Sequence, residues 1–493
     1  MPEKIIHRGT FLSIVVILGF SLTFSMCASA PDQPGPPVDA YGDLASRLGD
    51  FVSSFGIAGL AVGIVSGGRI AYAEGFGYES AETLEPVTAN TLFHAASISK
   101  TFVATAVMQL VEQGLVDIGD PLTDYIPLFT MADEGYRGIT IKQMLTHTSG
   151  MPDVRDYEWE APRYDEYALE NYVLSLYSEH LLAEPGSGWA YSNLAFDCLG
   201  NVIANVSGLS FEEYEAQHVL GPSYMPASTF LKPAALPAGW ASPHRTYMTP
   251  RVRDVYPYNR IHAPSSTLHT SVVELCNWAI TNLNHGNFGG TSILQDSTYE
   301  NLWGNHYAIP DGRGLFHNGG HQGLAWAVGT YGGETIVGHS GSDEGFVSNL
   351  ILVPDKSVAV AILCNIDSPY LQELTCLVLD AALGLPAAEL HPPAGVAALR
   401  TLEASGLEAA VAMWDSLKTA SPDGYDFSST WTFSVGESIL EMGTPAEAEL
   451  FARFYGRTMS ADVVEEAVDL LRAFLLQNPG HENAEIMLAI LSG

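Results

Sequence analysis

Six short apolar runs are the main indication of β-strands in this chain. They are grouped towards the two ends of the stretch from residue 57 to residue 364. Paired runs are separated by turn-forming residues, for example Gly67 with Gly68, or Pro354 with its polar neighbours. Because hairpin-linked strands pair antiparallel, we expect strands from both ends of this stretch to form one antiparallel sheet. The runs are residues 57–65, 70–76, 324–331, 334–339, 346–353 and 358–364.

The sequence between these runs is mostly helical in character. Residues 101–113 and 194–205 are two such segments. A sheet built from both ends of a region, with helices inserted between them, is an α+β arrangement. We therefore predict one domain over residues 38–385, with an antiparallel sheet flanked by helices and an inserted, mostly helical subdomain.

The C-terminal part of the chain predicts a small all-α tail. Residues 386–395 contain three prolines and predict a linker, and residues 396–493 are helical in pattern and rich in Ala, Leu and Glu. The stretches that start at 406 and 443 resemble degraded tetratricopeptide repeats, whose period is about 34 residues. Such a region is either a solenoid that binds a peptide or protein partner, or a helical cap over one face of the preceding domain.

The N-terminus has the order of residues found in a secretory signal peptide. The charged residues Lys4 and Arg8 come first, followed by an apolar run over residues 11–26 and then small residues up to Ala30. We expect residues 1–30 to be a signal peptide and residues 31–37 a Pro-rich linker. Export to the periplasm or the extracellular space is the favoured prediction. The alternative is membrane contact through a retained N-terminus or a lipidated Cys27.

Composition narrows the classes of function. The 493 residues carry a formal net charge of −35, because 56 Asp and Glu face only 21 Lys and Arg. This balance argues against nucleic-acid binding, which needs basic surface to neutralise phosphates. No pair of residues has zinc-ligand spacing, so we predict neither a metal nor a cofactor. For the Gly-rich stretch with His317 and His321 we expect a loop that tolerates polar residues, and the alternative is metal binding. Four cysteines lie in apolar runs and predict buried free thiols: Cys198, Cys276, Cys364 and Cys376.

The strongest chemical signal is a serine and a lysine three residues apart, Ser97 and Lys100, where an apolar helical run begins. Residues at this spacing share a helix face, so the lysine can reach the serine hydroxyl. A lysine amine in an apolar setting can serve as the base that a serine nucleophile needs. Unpaired backbone N–H groups at a first helical turn would stabilise developing negative charge. Taken alone, the same spacing also fits a solvated helix start.

Two later segments supply complementary groups. Tyr191 and Asn193 are two residues apart, a spacing that points both side chains to one side of an extended or tightly turned backbone. A tyrosine near a lysine cation can have a lowered pKa and act as a general base, and an asparagine amide can hold a substrate carbonyl. Further on, an apolar strand ends in hydroxyls and a glycine that permits close approach of a substrate. This last segment is His339, Ser340, Gly341 and Ser342.

In this order, the three segments resemble the motifs of penicillin-recognising serine hydrolases, that is, serine β-lactamases and penicillin-binding proteins. The Tyr-x-Asn form of the second motif is similar to that of class C β-lactamases and the related D,D-carboxypeptidases, D-aminopeptidases and esterases. Residues 144–152 are similar to the family segment Leu-Leu-Thr-His-Thr-Ser-Gly-Leu-Pro, and residues 199–208 and 353–365 also contain family-like segments. The resemblance covers roughly residues 38–385 and implies the β-lactamase/D,D-peptidase fold.

The resemblance implies a role for each residue. Ser97 would be the acylated nucleophile, Lys100 its activating partner, and Tyr191 the group that passes a proton to the leaving group and later activates water. Asn193 would orient the substrate and the lysine. The backbone N–H groups of Ser97 and Ser342 would form the oxyanion hole.

Substrate identity depends on the positions where the chain departs from the family pattern. His339 replaces the usual lysine of the third motif and should be largely neutral at pH 7, which weakens the case for an efficient β-lactamase. Residues 221–225 and 264–268 also differ from the family, and we expect both segments near the substrate. The sequence predicts an exported serine hydrolase that acts on a small-molecule or peptide ester, amide or D-amino-acid bond. The alternative is a catalytically silent binding or scaffold protein that works through its helical tail.

Overall fold

The computed structural model describes residues 41–309, 319–368 and 370–493. The predicted signal peptide (1–30), the Pro-rich linker (31–37) and His317 therefore lie outside the described residues. Within them, a large antiparallel sheet is combined with helices inserted between its strands and with further helices at the C-terminal end. The fold class predicted from the hydrophobic pattern, α+β, is confirmed.

The described strands are, in chain order, β1 (Gly59–Ser66), β2 (Arg69–Gly77), β3 (Phe93–His94), β4 (His244–Arg245), β5 (Arg251–Val252), β6 (His269–Thr270), β7 (Asn287–Phe288), β8 (Thr291–Ser292), β9 (Tyr307–Ile309), β10 (Gly320–Gln322), β11 (Ala327–Tyr331), β12 (Glu334–Asp343), β13 (Phe346–Val353) and β14 (Val358–Cys364). Eight of them form the main sheet in the order β2-β1-β14-β13-β12-β11-β10-β9, and all neighbours are antiparallel. The other six form three two-stranded pairs.

The described helices are α1 (Gly42–Ser54), α2 (Ser99–Glu112), α3 (Leu122–Tyr125), α4 (Ile141–Leu145), α5 (Ala168–Ser175), α6 (Asn193–Ser207), α7 (Phe211–Glu215), α8 (Ala263–Ser266), α9 (Val272–Leu283), α10 (Tyr299–Leu302), α11 (Leu371–Leu383), α12 (Ala394–Ser405), α13 (Leu407–Ala420), α14 (Thr430–Met442), α15 (Pro445–Thr458), α16 (Ala461–Gln477) and α17 (Glu482–Leu491). None of these helices is by itself long and apolar enough to cross a membrane, although α6 and the bent segment that follows it pass such a test together.

The central strands are covered on both faces, which explains why the sequence shows continuous apolar runs there. In β1, Ala61 and Val65 belong to one core, whereas Leu60, Val62 and Ile64 belong to another. Successive side chains of a strand point to opposite faces, so the two cores lie on the two sides of the sheet. A strand buried on both sides has no solvent-facing polar side, and β1 accordingly has only apolar residues and glycine from Gly59 to Val65.

The first core holds the inserted helices against the sheet and positions the candidate site. Most residues of α2, α6 and α9 are buried in it. The rings of Phe102 and Trp278 stack with centroids 4.1 Å apart and so join α2 to α9. The short turn before α2 contacts β12. The N-terminal end of a buried helix is therefore fixed against one strand of the sheet.

The second core covers the opposite face with α1, α11 and the C-terminal helices. Trp431, in the first turn of α14, is buried and packs so closely on Gly56 that a Cβ there would lie 2.6 Å from the indole ring. Its ring also stacks on Tyr370, with centroids 6.2 Å apart. This packing fits the cap interpretation of the tail. The tetratricopeptide-like and partner-binding interpretations stay predictions.

The sheet differs from the predicted six strands in two ways. Strands β9 and β10 have only three residues each, too few to give a period-2 signal, yet they extend the sheet to eight strands. Strand β12 continues past the predicted end at 339 to Asp343, so the third motif lies inside a strand. All four described cysteines are free thiols, as predicted, although Cys376 is only half-buried.

Candidate active site

Ser97 lies on a 3₁₀ turn (Ala96–Ile98) between β3 and α2, immediately before the helix rather than inside it. Ala96 has a φ of +47°, which is unfavourable for a residue with a side chain. The Ser99 hydroxyl braces the turn, because it donates to the Ala96 carbonyl at 2.7 Å and accepts from the Leu268 N–H at 3.0 Å. In residues 91–110, Ser97 is the one residue that is not buried. The strained turn therefore presents the serine at the surface of a buried helix end.

Lys100 is fully buried and makes three hydrogen bonds through its ammonium group. Nζ lies 3.0 Å from Ser97 Oγ, 2.6 Å from Asn193 Oδ1 and 2.6 Å from the Ser265 carbonyl oxygen. An ammonium has three donors, so all of them have acceptors here. The predicted serine–lysine contact is present, and two further acceptors fix the lysine beside the serine.

The protonation of Lys100 is set by burial. Burial lowers the pKa of Lys100 to about 8, although the carboxylates of Asp343, Asp197 and Asp153 oppose the shift. At pH 7 about one molecule in ten then carries a neutral lysine, against about four in ten thousand for a lysine with its usual pKa of about 10.4. Only the neutral amine can take a proton from the serine hydroxyl. The buried position therefore makes a base available near neutral pH.

Tyr191 reaches the same hydroxyl from another side and donates to Ser97 Oγ at 2.9 Å. Its ring stacks on His147, with centroids 4.3 Å apart. The sequence predicted a lowered pKa for this tyrosine, and for the resting site that prediction is wrong. Burial raises the pKa of Tyr191, and two nearby carboxylates raise it further against the opposing hydrogen bond to Ser97. Tyr191 is therefore a protonated donor at rest, and Lys100 is the stronger candidate for the first base.

Asn193 is the first residue of α6, and its amide is held on every side. The Ser192 hydroxyl caps the helix by accepting from the Ala195 N–H at 3.1 Å. The Asn193 amide nitrogen donates to Asp153 Oδ1 at 2.9 Å and to the Tyr157 hydroxyl at 2.7 Å. With both of these donors bound, the amide oxygen is turned towards the lysine.

Three groups of this site were missed by the sequence analysis: Asp153, Tyr157 and the Ser265 carbonyl. The 264–268 segment, expected near the substrate, supplies that carbonyl to Lys100. Every residue has a backbone carbonyl, so no sequence pattern could indicate that the carbonyl of Ser265 contacts Lys100. Asp153 directly follows the family-like segment 144–152, and this position was the available signal for it.

The third motif forms an open strand edge next to the turn that carries Ser97. Strand β11 pairs with β12 only as far as Gly338, whereas β13 pairs with β12 through to Asp343. The edge that faces away from β13 is therefore free of main-sheet pairing over His339, Ser340, Gly341 and Ser342. A Cβ on Gly341 would lie 2.4 Å from the Ala95 carbonyl oxygen, so only glycine lets this edge approach the serine turn.

His339 supplies no positive charge at this edge. Its Nδ1 lies 2.6 Å from the Ser340 carbonyl oxygen. Burial and the neighbouring Lys100 cation lower the pKa of His339 below its usual range, against the opposing effect of that hydrogen bond. The imidazole is neutral at pH 7, as the sequence predicted. A substrate carboxylate would find no cation at the third motif.

A buried histidine–aspartate pair ties the two sides of the site together. His94 Nε2 lies 2.7 Å from Asp343 Oδ2, and both side chains are almost completely covered. His94 lies just before the serine turn and Asp343 is the last residue of β12. The pair therefore fixes the spacing between the serine turn and the strand edge. Its sequence signal was its position, since both residues directly flank predicted motifs.

In the part of the chain that the structure describes, no group of side chains is suited to bind a metal ion. No group of three or more His, Cys, Asp and Glu side chains lies close enough together there to hold an ion. The loop predicted at His321 is wrong, because His321 lies in β10, where it pairs with β9 and β11. Its Nε2 lies 2.9 Å from the Trp303 carbonyl oxygen.

Comparison with known proteins places most of the chain in one family. The family model described as Beta-lactamase matches residues 44–383. Protein flp of Staphylococcus aureus (strain MW2) is 28% identical over 322 residues, which cover 64% of this chain and 61% of that protein, so the chain spans about three fifths of this relative. Penicillin-binding protein 4* of Bacillus subtilis (strain 168) is 33% identical over 164 residues, 32% of this chain and 35% of that protein.

Solved structures share the fold. The octameric penicillin-binding protein homologue from Pyrococcus abyssi aligns with a TM-score of 0.62 and 26% identity, over 74% of this chain and 81% of that chain. D-alanine carboxypeptidase AmpC from Burkholderia cenocepacia aligns with a TM-score of 0.57 and 22% identity, over 70% of this chain and 99% of that chain. The matched family region ends at 383, where α11 ends, so the helices α12–α17 lie beyond it.

Proposed function

This chain belongs to the beta-lactamase family, and from that premise we propose that it is a serine hydrolase that forms an acyl-enzyme at Ser97. Its substrates are esters, amides or D-amino-acid peptides. One observation carries the proposal, namely that Ser97 Oγ is within hydrogen-bond distance of both a buried lysine and a tyrosine hydroxyl. A nucleophile with an adjacent base is the arrangement that acyl transfer needs. A buried lysine is costly to a fold, so a purely structural role explains it poorly.

Acylation begins when neutral Lys100 removes the proton from Ser97. The Oγ atom then attacks the substrate carbonyl carbon, and the backbone N–H groups of Ser97 and Ser342 stabilise the oxyanion. As the bond to the leaving group breaks, Tyr191 gives that group a proton and regains one from the Lys100 ammonium. The products of this step are the acyl-enzyme and the protonated leaving group.

Deacylation uses the same groups in the opposite direction. A water molecule gives its proton to the Lys100–Tyr191 pair and its oxygen attacks the ester carbon. The bond to Ser97 Oγ breaks, and the serine recovers a proton from the same pair. The acid product leaves and the resting site is restored.

The third motif bears on which substrates react. Because His339 is neutral, a substrate carboxylate gains no ion pair at the strand edge. We therefore rank esters and amides without a carboxylate at that position above β-lactams. We also propose that the protein is exported, and the N-terminal sequence order is the support for this part of the proposal.

Turnover separates this proposal from a silent binding protein. Purified protein is assayed with p-nitrophenyl acetate, D-alanine p-nitroanilide and a chromogenic cephalosporin, beside Ser97→Ala and Lys100→Met. We expect repeated turnover of at least one substrate, and a loss of about 10³-fold or more in both variants. The result that contradicts the proposal is a Ser97→Ala variant as active as the parent. An adduct at Ser97 without turnover would favour the silent binding protein.

A further inference from the structure

A second buried histidine–aspartate pair connects α6 to the residue before α8. His262 Nδ1 lies 2.8 Å from Asp197 Oδ2, and neither side chain has any exposed area. Neither residue belongs to one of the three motifs, and neither takes part in the proposed acylation steps. Burial of a carboxylate is costly to a fold, and even a paired buried charge adds little to stability. A stabilising role alone therefore explains the pair poorly.

The pair joins the two elements that hold Lys100. Asp197 follows Asn193 by one turn on the same face of α6, and Asn193 Oδ1 accepts from the lysine Nζ at 2.6 Å. His262 directly precedes α8, whose Ser265 carbonyl accepts from the same ammonium at 2.6 Å. The contact between His262 and Asp197 therefore fixes the distance between the two acceptors.

Close packing keeps these two elements together. A Cβ on Gly200 of α6 would lie 2.1 Å from the Pro264 ring of α8, so a larger residue at this position would force the two helices apart. The Ser265 hydroxyl donates to the His262 carbonyl oxygen at 3.3 Å, which holds the turn at the start of α8. Each contact that keeps α6 against α8 therefore also keeps the two acceptors beside the lysine.

The protonation of the pair follows from its surroundings. The rings of Tyr157 and Tyr172 pack edge-on to the His262 imidazole, with centroids 4.9 Å and 5.0 Å away. No described residue offers a hydrogen-bond partner to His262 Nε2, so an N–H at that position would be a buried donor without an acceptor. This favours a neutral imidazole with its proton on Nδ1, facing the Asp197 carboxylate. The pair then carries one net negative charge.

This negative charge acts on the candidate base. Burial lowers the pKa of Lys100, and the carboxylates of Asp343, Asp197 and Asp153 oppose the shift. Of these three, Asp343 is bound to His94, and Asp153 is exposed to solvent, which screens its charge. Asp197 therefore contributes a buried negative charge that solvent does not screen.

Other titratable groups around the pair and the lysine do not replace this charge. Burial keeps them uncharged at neutral pH, because it raises the pKa of tyrosine and cysteine and lowers the pKa of histidine. These groups are Tyr157, Tyr172, Tyr191, Cys198, His147 and His339. Loss of the Asp197 charge should therefore be felt by Lys100 without compensation.

We propose that Asp197 and His262 are positioning residues for Lys100, which fix both protein acceptors of its ammonium and place a buried counter-charge beside it. Neither residue touches the reacting atoms, and both act through the lysine. This inference rests on the proposed function, since it takes Lys100 as the base that activates Ser97. Its consequence is that a residue outside the three motifs sets the pH range of acylation.

Asp197→Asn tests the counter-charge, because asparagine has the same shape and its amide oxygen still accepts from His262 Nδ1. The full chain is labelled at Ser97 with a fluorophosphonate between pH 6 and pH 9. In the parent, the rate constant should rise about 90-fold over this range, with an inflection near 8. In Asp197→Asn, the inflection should fall by about one pH unit, and the rise should shrink to about tenfold.

Asp197→Leu tests the positioning role. Leucine has a similar shape but accepts no hydrogen bond, so the contact between α6 and the start of α8 is lost together with the charge. At pH 9, where Lys100 is mostly neutral in both variants, its rate constant should lie about tenfold or more below that of Asp197→Asn. A rate constant does not depend on the amount of folded protein, so a lower yield does not alter the comparison.

Asp380→Asn is the matched control, because Asp380 is a buried aspartate of α11, on the opposite face of the sheet, and accepts from the Tyr331 hydroxyl at 2.7 Å. This variant should keep the inflection and the rise of the parent. An unchanged inflection in Asp197→Asn, or equal rate constants for Asp197→Asn and Asp197→Leu at pH 9, would overturn the inference. A parent that is not labelled at Ser97, or that shows no inflection near 8, would instead contradict the proposed function.

Discussion

Lowering the pH should slow the acylation of Ser97 in proportion to the loss of neutral Lys100. With the lysine pKa at about 8, the neutral fraction is about 0.9 at pH 9, about 0.09 at pH 7 and about 0.01 at pH 6. The second-order rate of fluorophosphonate labelling should therefore fall about 90-fold between pH 9 and pH 6, with an inflection near 8. A flat profile, or an inflection below pH 7, would refute the assignment of Lys100 as the base.

The pH profile alone does not show whether Lys100 or Tyr191 is the base, because a neutral lysine beside a phenol and a charged lysine beside a phenolate hold the same number of protons. The Tyr191→Phe variant distinguishes the two. Fluoride leaves without needing a proton from the tyrosine. With Lys100 as the base, the variant should lose about tenfold or less in labelling rate, the effect of one missing hydrogen bond, and keep the inflection. Loss of labelling over the whole pH range would show that the tyrosine is the base. Lys100→Arg, which cannot titrate in this range, should label only at background rate.

Three further substitutions test how the site and the tail are held. Gly341→Ala should slow labelling about 100-fold, because its Cβ would lie 2.4 Å from the Ala95 carbonyl oxygen and displace the strand edge from Ser97. Unchanged labelling would contradict this close approach. Asp153→Ala should lower kcat/KM by about tenfold to 100-fold, because Asn193 loses one of the two acceptors of its side-chain amide and the side-chain acceptor of its backbone N–H; an unchanged value would show that the amide needs no such anchor. Trp431→Ala should lower the free energy of unfolding in urea by about 3–5 kcal/mol, because a fully buried indole is removed. If the C-terminal helices alone unfolded at lower urea concentration in this variant, the tail would unfold independently of the sheet.

Matched controls are available for these substitutions. Gly49→Ala, on α1, adds a Cβ with no atom within 4 Å, and it should leave labelling unchanged. Asp50→Ala removes a carboxylate on the same helix that makes no hydrogen bond or ion pair among the described residues, and it should leave kcat/KM unchanged.

Much of the sheet could be predicted because its signals are local. The predicted runs at 346–353 and 358–364 coincide with β13 and β14, since a Pro-containing turn separates two continuous apolar segments. Strands of three residues, such as β9 and β10, carry no such signal. The contact between Ser97 and Lys100 was likewise predictable, because it depends on a spacing of three residues along the chain.

Contacts between segments that are far apart along the chain could not be predicted from the sequence. The Ser265 carbonyl reaches Lys100 across 165 positions, and the Asp343 carboxylate reaches His94 across 249. The direction of the tyrosine pKa was also mispredicted for this reason. The family resemblance implies a lysine near Tyr191, but the extent to which the tyrosine is buried depends on packing by several elements.

The most direct test of the acyl-enzyme proposal is intact-mass analysis after exposure to a fluorophosphonate and, in a parallel sample, to penicillin. We predict one equivalent of fluorophosphonate adduct, located by peptide mapping at Ser97 and absent from Ser97→Ala. Penicillin should react more slowly, because no cation lies at His339 to hold its carboxylate. An adduct on a different residue, or no adduct with either reagent, would contradict the account of Ser97 as the nucleophile.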